Sequence, residues 1–338
     1  MYNLGGTDLS VFDFVPIVQG DTDVALTGFL DMPARIEETG YEWAGEMGIE
    51  AYVSAEDIMF GGRDLTLTGV ISGTDQFDCM GKVDALYRLI DSFTGLVPLN
   101  HSLGTHQVYV DKVISGSYLG EGSAGLVYVK ITIPMREPIV PINGVVPTGN
   151  SSVLGIDGIS FPALGGALLE LSGDRRNRAA PKSFSVTAYG RESFVLTKKS
   201  APELTMKLVF KANTWAALKV SVSNLHALMA SPGMRYVTVN NDQARSVYAK
   251  DGFTVSQIHA FSDPCFCVIE CKLTQSGTPL SISSLTIKGS TVNIKGSLVK
   301  IRSGVAEDDP PPDNGSLLTI KGDPVLIKQN TIQIKTIT

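Results

Sequence analysis

Apolar and polar residues alternate with a period of two along many short stretches of this 338-residue chain. Residues 65–70, LTLTGV, and residues 204–209, LTMKLV, alternate as half-buried strands do, and they lie 139 positions apart. A helical period follows each. Met80, Val83, Leu86, Tyr87 and Ile90 form one apolar stripe, and Trp215, Leu218, Val222, Leu225 and Met229 form another. Thr74 and Asp75 precede the first stripe, Asn213 and Thr214 the second. These residue types cap a helix N-terminus by accepting from its free N–H groups. Each helix stops at turn residues, Gly95 in one and Pro232 and Gly233 in the other. Strands follow in SFTGLVPLN (92–100) and SPGMRYVTV (231–239), again 139 apart. Further strands are expected around 108–113 and 247–253. LVYVKITI (126–133) and FCVIECKL (266–273) close the two segments at an offset of 140, which predicts one residue gained in the loop before them. Upstream, FLDMPAR (29–35) and LLELSGDR (168–175) are alike.

This order predicts a duplicated unit over about 25–135 and again over 165–275. The expected fold class is mainly β (α+β), with two tandem antiparallel β-sandwich or barrel units, each with one packed helix, and a C-terminal repetitive β tail. The expected division is 1–140 for the first tube-like unit with its N-terminal arm, 141–164 for a Pro/Gly-rich linker, 165–278 for the second unit and 279–338 for the tail. Pro134, Pro138, Pro141, Pro147 and Pro162 mark the link between the units.

The tail has a different period. Ile287-Lys288, Ile294-Lys295 and Ile301-Arg302 recur every seven residues, as do Ile320-Lys321, Ile327-Lys328 and Ile334-Lys335. Thr, Val, Ile and Gly dominate and Leu, Ala and Glu are scarce, so short strands with a turn per repeat fit better than a coiled coil. The acidic, proline-rich loop 307–315 separates the triplets. Lys288, Lys295, Lys321, Lys328 and Lys335 suit a solvated strand face, or docking on an acidic neighbour. Arg175, Arg176 and Arg178 form the densest basic cluster, read either as a solvated loop or as a contact to an acidic subunit surface.

Composition narrows the function. The net charge of -6 argues against wrapping nucleic acid, while permitting nucleic acid to pass without adsorbing. The N-terminal MYNLGGTDLSVFDF has neither the basic start nor the apolar core of a secretory signal. No apolar run approaches the roughly 18–20 residues that span a bilayer, so no membrane insertion is expected. Cys265, Cys267 and Cys271 share one strand face and read, with Cys79, as small buried side chains, since paired metal-ligand spacing is missing. EGSAG (121–125) lacks the first glycine of a nucleophile elbow. The phosphate-loop and zinc-protease patterns are absent. His101 and His106 could meet but read as surface histidines, with no carboxylate or cysteine at ligand spacing. Neither an enzyme nor a cofactor is expected.

FGGRDLTLTGVISG (60–73), the helix at 75–93, SFTGLVPLN, a strand near Tyr109 and LVYVKITI together resemble the distal tail proteins of long-tailed bacteriophages and prophages, a family related to tail tube proteins. Phe60 and Arg63 stand at that family's F-x-x-R element. The resemblance implies a structural ring, commonly a hexamer, at the distal end of the tail tube. A trimer is the option if both units of each chain take ring positions. The implied partners are the chain itself, the tail tube protein, and tail-tip or baseplate hub and fibre proteins, with DNA only in transit through the lumen. It implies synthesis in the host cytoplasm and assembly into the virion tail. The alternative is a tail-tip receptor- or carbohydrate-binding module.

Overall fold

The computed structural model describes residues 1–276 except 19, 44–47, 123–124, 150–153, 174–178, 189–190 and 240–243. Beyond these it describes only the tail strands. It divides into one unit over Met1–Leu280 and another over Ser281–Thr338.

The first half opens with a hairpin, β1 (Tyr2–Leu4) and β2 (Thr7–Asp8), then a short 3-10 helix and the edge strands β3 (Phe14–Pro16) and β4 (Leu26–Thr27). The long strand β5 (Arg63–Gly73) leads into helix α1 (Gln76–Asp91). Strands β6 (Val97–His101), β7 (Gly104–Val108), β8 (Ser115–Glu121) and β9 (Val127–Glu137) follow. The two-residue strands Gly40–Tyr41 and Glu50–Ala51 pair by themselves. Of the two larger sheets, one has the order β2-β1-β6-β7 and the other β8-β9-β5-β3, with β4 also on β5. An antiparallel bridge between Tyr109 and Arg136 links them.

The second half has the same order. It runs β10 (Gly155–Ile156), β11 (Ile159–Ser160), a 3-10 turn, β12 (Gly166–Ser172), β13 (Glu203–Ala212), α2 (Trp215–Ala230), β14 (Arg235–Thr238), β15 (Arg245–Tyr248), β16 (Phe253–His259) and β17 (Cys265–Gln275). These strands form one sheet, β11-β10-β14-β15-β17-β13-β12 with β16 on β17, and a separate antiparallel hairpin, Pro181–Ala188 with Arg191–Lys199, is inserted between β12 and β13. The fold is thus mainly β with several antiparallel sheets and, among the described residues, two helices.

The two helices start and stop 139 positions apart, and their N-caps match. Asp75 accepts from the Asp78 N–H at 2.8 Å, and the Thr214 hydroxyl from the Ala217 N–H at 3.2 Å. The stripe of α2 is buried at Leu218, Val222, Leu225 and Met229. In α1 the buried stripe is Cys79, Val83, Leu86 and Ile90, and Met80 is left 43% exposed. At Gly73 a Cβ would lie 2.4 Å from the Cys79 nitrogen, so the bare glycine lets this turn of the helix sit close on the strand.

Strand register corrects the expected offset of the last strand. Gly73 faces Val127 and Ala212 faces Cys265, which sets β9 and β17 at an offset of 138, not 140. One residue is lost rather than gained. Both offsets place the same side chains inward, because alternation repeats every two residues and cannot separate registers that differ by two.

Register also corrects the upstream correspondence. Gly5 and Gly6 turn the first hairpin with positive φ, and Asp157 and Gly158 turn the second likewise, 152 positions later. Such turns suit the twist of paired strands. The left-handed residues after the short helices, Asp13 and Gly165, keep that offset. Phe14 faces Ile71 and Gly166 faces Phe210, so β3 and the start of β12 are counterparts. Leu26 faces Leu67 and Leu171 faces Met206, so β4 matches the end of β12. The part of 141–164 read as linker therefore contributes a hairpin to the second sheet from Gly155 onward. FLDMPAR follows Gly28, whereas LLELS precedes Gly173, the residue standing where Gly28 does.

Those two glycines make the correspondence testable. Gly28 has φ +82 and Gly173 φ +78. A Cβ would lie 2.1 Å from the Asp64 oxygen in one and 2.2 Å from the Glu203 oxygen in the other. Gly28→Ala and Gly173→Ala are each expected to lower stability by at least about 1–2 kcal/mol from the left-handed backbone alone. Thermal unfolding of each variant checks this, and an unchanged midpoint would refute it.

In the tail unit, Leu285–Ile287 pairs antiparallel with Ser290–Val292, and Ser316–Ile320, Asp323–Lys328 and Thr331–Ile334 form a three-stranded antiparallel sheet.

Candidate assembly interface

The core strands alternate strictly. Along β9, Val127, Val129, Ile131, Ile133, Met135 and Glu137 all point inward and are buried. The strand continues four residues past its expected end, and its last inward position holds a carboxylate. Glu137 faces Arg63 across the ladder, and the Arg63 Nε lies 2.6 Å from Glu137 Oε2, with both side chains under one-tenth exposed. His106 Nδ1 is 3.2 Å from the same oxygen. Burial pushes the Glu137 carboxyl up, but the His106 hydrogen bond and the Arg63 charge outweigh it and hold the group below its ordinary value. Arg63, the arginine of the F-x-x-R element, is thus a buried structural cation. It also donates to the Asp31 carbonyl at 3.2 Å.

His101 and His106 are correctly paired by the sequence reading but wrongly placed on the surface. Their rings stack at 5.3 Å, and Phe29 packs edge-on against both. Burial, with His106 and the Lys219 charge beside it, pushes His101 down to about 4. Sequence spacing allowed the two to meet but could not show Phe29 closing over them. Among the described residues no group of three His, Cys, Asp or Glu side chains is arranged to hold a metal ion. The four cysteines are free and buried, and burial pushes Cys267 and Cys271 up to about 12.

The two halves meet along β16 and one face of α2. Met32 bridges to Phe253, donating its N–H to the Phe253 carbonyl at 2.9 Å. Asp31 Oδ1 accepts from the Val255 N–H, and the Asp23 carboxylate accepts from the Ala260 and Phe261 N–H groups, each at 2.7 Å. On α2, Trp215 Nε1 and Lys219 Nζ both donate to the Leu103 carbonyl, at 3.4 and 3.2 Å, and His226 Nε2 lies 3.2 Å from the Leu30 carbonyl. A carbonyl only accepts, so Nε2 of His226 carries the proton. Burial, aided by the Arg63 charge, pushes His226 down to about 4 and keeps the ring neutral. Asp31 is buried at this junction, and burial pushes its carboxyl up to about 7 against the Val255 hydrogen bond and the Arg63 charge.

Among the described residues, the opposite edges are bare. Strand β8 is exposed at every position but Gly120, with Tyr118 and Leu119 more than half exposed. Strand β12 borders the second sheet with Leu169 and Glu170 exposed. Unpaired edges of this kind are templates for another chain.

Of the basic residues singled out in the sequence, Arg175, Arg176, Arg178, Lys288, Lys295, Lys321 and Lys335 lie outside the described residues. Lys328 ends the strand Asp323–Lys328.

No protein-family model and no curated protein sequence matches the chain. Among solved structures, the crystal structure of the SPP1 Dit (gp 19.1) protein, named a paradigm of the hub adsorption apparatus in phages infecting Gram-positive hosts, aligns at 12% identity. The alignment covers 80% of this chain and 99% of that one at a TM-score of 0.28. At that superposition the likeness carries no weight for fold or function, which rest on the chain's own geometry and residues.

Proposed function

We propose that this chain is a structural, non-catalytic phage tail protein that forms a ring at the distal end of the tail tube. There it joins the tube to tail-tip or baseplate proteins and leaves a lumen for DNA. The observation that carries this reading is that two units of one strand order dock side by side within the chain while each keeps a bare strand edge. A closed ring satisfies such edges, as neighbouring units cover one another. The acidic balance of the chain suits a lumen that nucleic acid traverses without sticking. The resemblance around Phe60–Gly73 supplies the phage tail context. It implies a hexamer, or a trimer if both units of each chain take ring positions.

The test is assembly. Purified full-length chain at high concentration is expected to scatter as a defined multiple of one chain, and to appear as rings with an axial hole in negative stain. A monomer that also fails to bind tail tube protein would sink the reading and favour the receptor- or carbohydrate-binding alternative, which a glycan or whole-cell binding assay then checks.

A further inference from the structure

We infer that the groove between α1 and β8 is a docking socket for the second half of another copy of this chain, at the place that matches where the first half docks on α2 and β16 within one chain. This deepens the ring reading above and rests on it.

The junction inside the chain has a socket and a plug. The socket lies on the second half: the α2 face of Trp215, Lys219, Val222 and His226, together with the adjoining strand β16, where the Val255 N–H is held by Asp31. The plug is the first-half segment that leaves the edge strand β4 at Gly28, carrying Phe29, Leu30, Asp31 and Met32. It closes the socket. Phe253, Val255 and Ile258 on β16 are buried, and Phe29 packs 6.0 Å from the Trp215 ring.

Among the described residues, the matching face of the first half is uncovered. Positions 139 earlier than the α2 residues are Gln76, Met80, Val83 and Tyr87. These four line one open groove of about 450 Å³ with Gly116 and Tyr118 of β8 and two residues of β9. Strand β8 is the counterpart of β16: each pairs with the last long strand of its half, and each is interrupted by a register shift. The difference is cover. Where β16 buries alternate residues, β8 leaves Ser115–Leu119 exposed, and Met80 and Tyr118 are exposed beside it. An apolar groove flanked by an unpaired strand edge is an incomplete surface for a soluble protein.

In the second half, residues 174–177, which match the plug, lie outside the described residues, and the strand that leads to them is exposed. Strand β12 stands where β3 and β4 stand, ends at the matching Gly173, and leaves its outer edge bare. One chain therefore presents one free socket and one free plug edge, at opposite halves. Surfaces that differ in this way associate head to tail, which closes into a ring or runs on as a filament. In a ring of six units, three chains suffice.

Two single substitutions on exposed residues test this in the full-length chain: Met80→Glu in the socket and Leu169→Glu on the plug edge. Each variant alone is expected to fall from the ring mass to the mass of one chain in light scattering, with far-UV circular dichroism and unfolding midpoint unchanged. Mixed in equal amounts, the two are expected to form a dimer and stop there, because one intact plug edge meets one intact socket. Tyr118→Lys and Ala167→Glu repeat the experiment on the same two surfaces if either first variant misfolds. If wild-type chain forms rings and the variants do too, the socket assignment is wrong and the ring reading stands. If the mixture stays monomeric, the head-to-tail pairing is wrong. A wild-type chain that is itself monomeric removes the ring reading, and this inference with it.

Discussion

Arg63→Ala is expected to destabilise the Met1–Leu280 unit by about 3–5 kcal/mol, because it leaves Glu137 buried and charged without its cation. The loss comes less from the attraction between the groups than from the desolvation the unpaired carboxylate retains. His106 remains within 3.2 Å of Glu137 but is neutral unless protonated, so it compensates only in part. The control separates these terms. Replacing both partners, Arg63→Met with Glu137→Leu, is expected to recover most of the loss, since a packed apolar pair is often as stable as a buried ion pair. Urea unfolding monitored by circular dichroism reads both variants. A loss below about 1 kcal/mol for the single substitution would place this pair with solvent-screened surface pairs and contradict its burial. Low pH should act in the same direction. The Glu137 carboxyl is held below its ordinary value, so its contribution is full above the unfolded value and is lost as pH falls through the folded one.

Asp31→Asn is expected to stabilise the same unit in alkaline solution, by about 4 kcal/mol at pH 8 if the whole shift is realised. The Asp31 carboxyl is pushed up to about 7 by burial. Between its unfolded value near 4 and about 7, the native chain holds a proton that the unfolded chain has released, so this group makes stability fall as pH rises. Asparagine keeps an oxygen for the Val255 N–H at 2.7 Å and carries no charge to bury. His101 and His226, both pushed down to about 4, act the other way over much of the same window. The unfolded chain binds their protons first, so stability rises as pH climbs from about 4 to about 6.5. In the native chain Asp31 cancels about one of these two protons. The variant should therefore show about twice the pH slope, ~2.7 against ~1.4 kcal/mol per pH unit between pH 4.5 and 6. Urea midpoints across that range and at pH 8 check both statements. An unchanged slope would mean that Asp31 does not titrate there.

The helices and the four long core strands were legible because their patterns are local, whereas the hairpin of Pro181–Ala188 and Arg191–Lys199 was not read. Asp75 and Thr214 announce their caps, and β5, β13, β9 and β17 alternate over enough residues to be read without partners. The hairpins at Gly5-Gly6 and Asp157-Gly158 were missed because strands of two or three residues show no period, although glycine at a turn was there to be read. Glu137 was missed because the strand was ended early. A carboxylate at an inward position was the available signal, and it pointed to the arginine opposite.

The sequence by itself determined the mainly β class, the two helices and their 139-residue spacing, since each follows from residue types acting on near neighbours in the chain. Only the tertiary structure decided the offset of the last strand, because alternation is blind to a shift of two residues. The tertiary structure also decided that the F-x-x-R arginine is a buried ion-pair partner, that His101 and His106 lie beneath Phe29, and that β8 and β12 are the edges left bare. Those outcomes depend on which distant segments come to lie side by side. Contacts between residues far apart in the chain set burial, and burial in turn decides whether a charge is a surface ornament or part of the core.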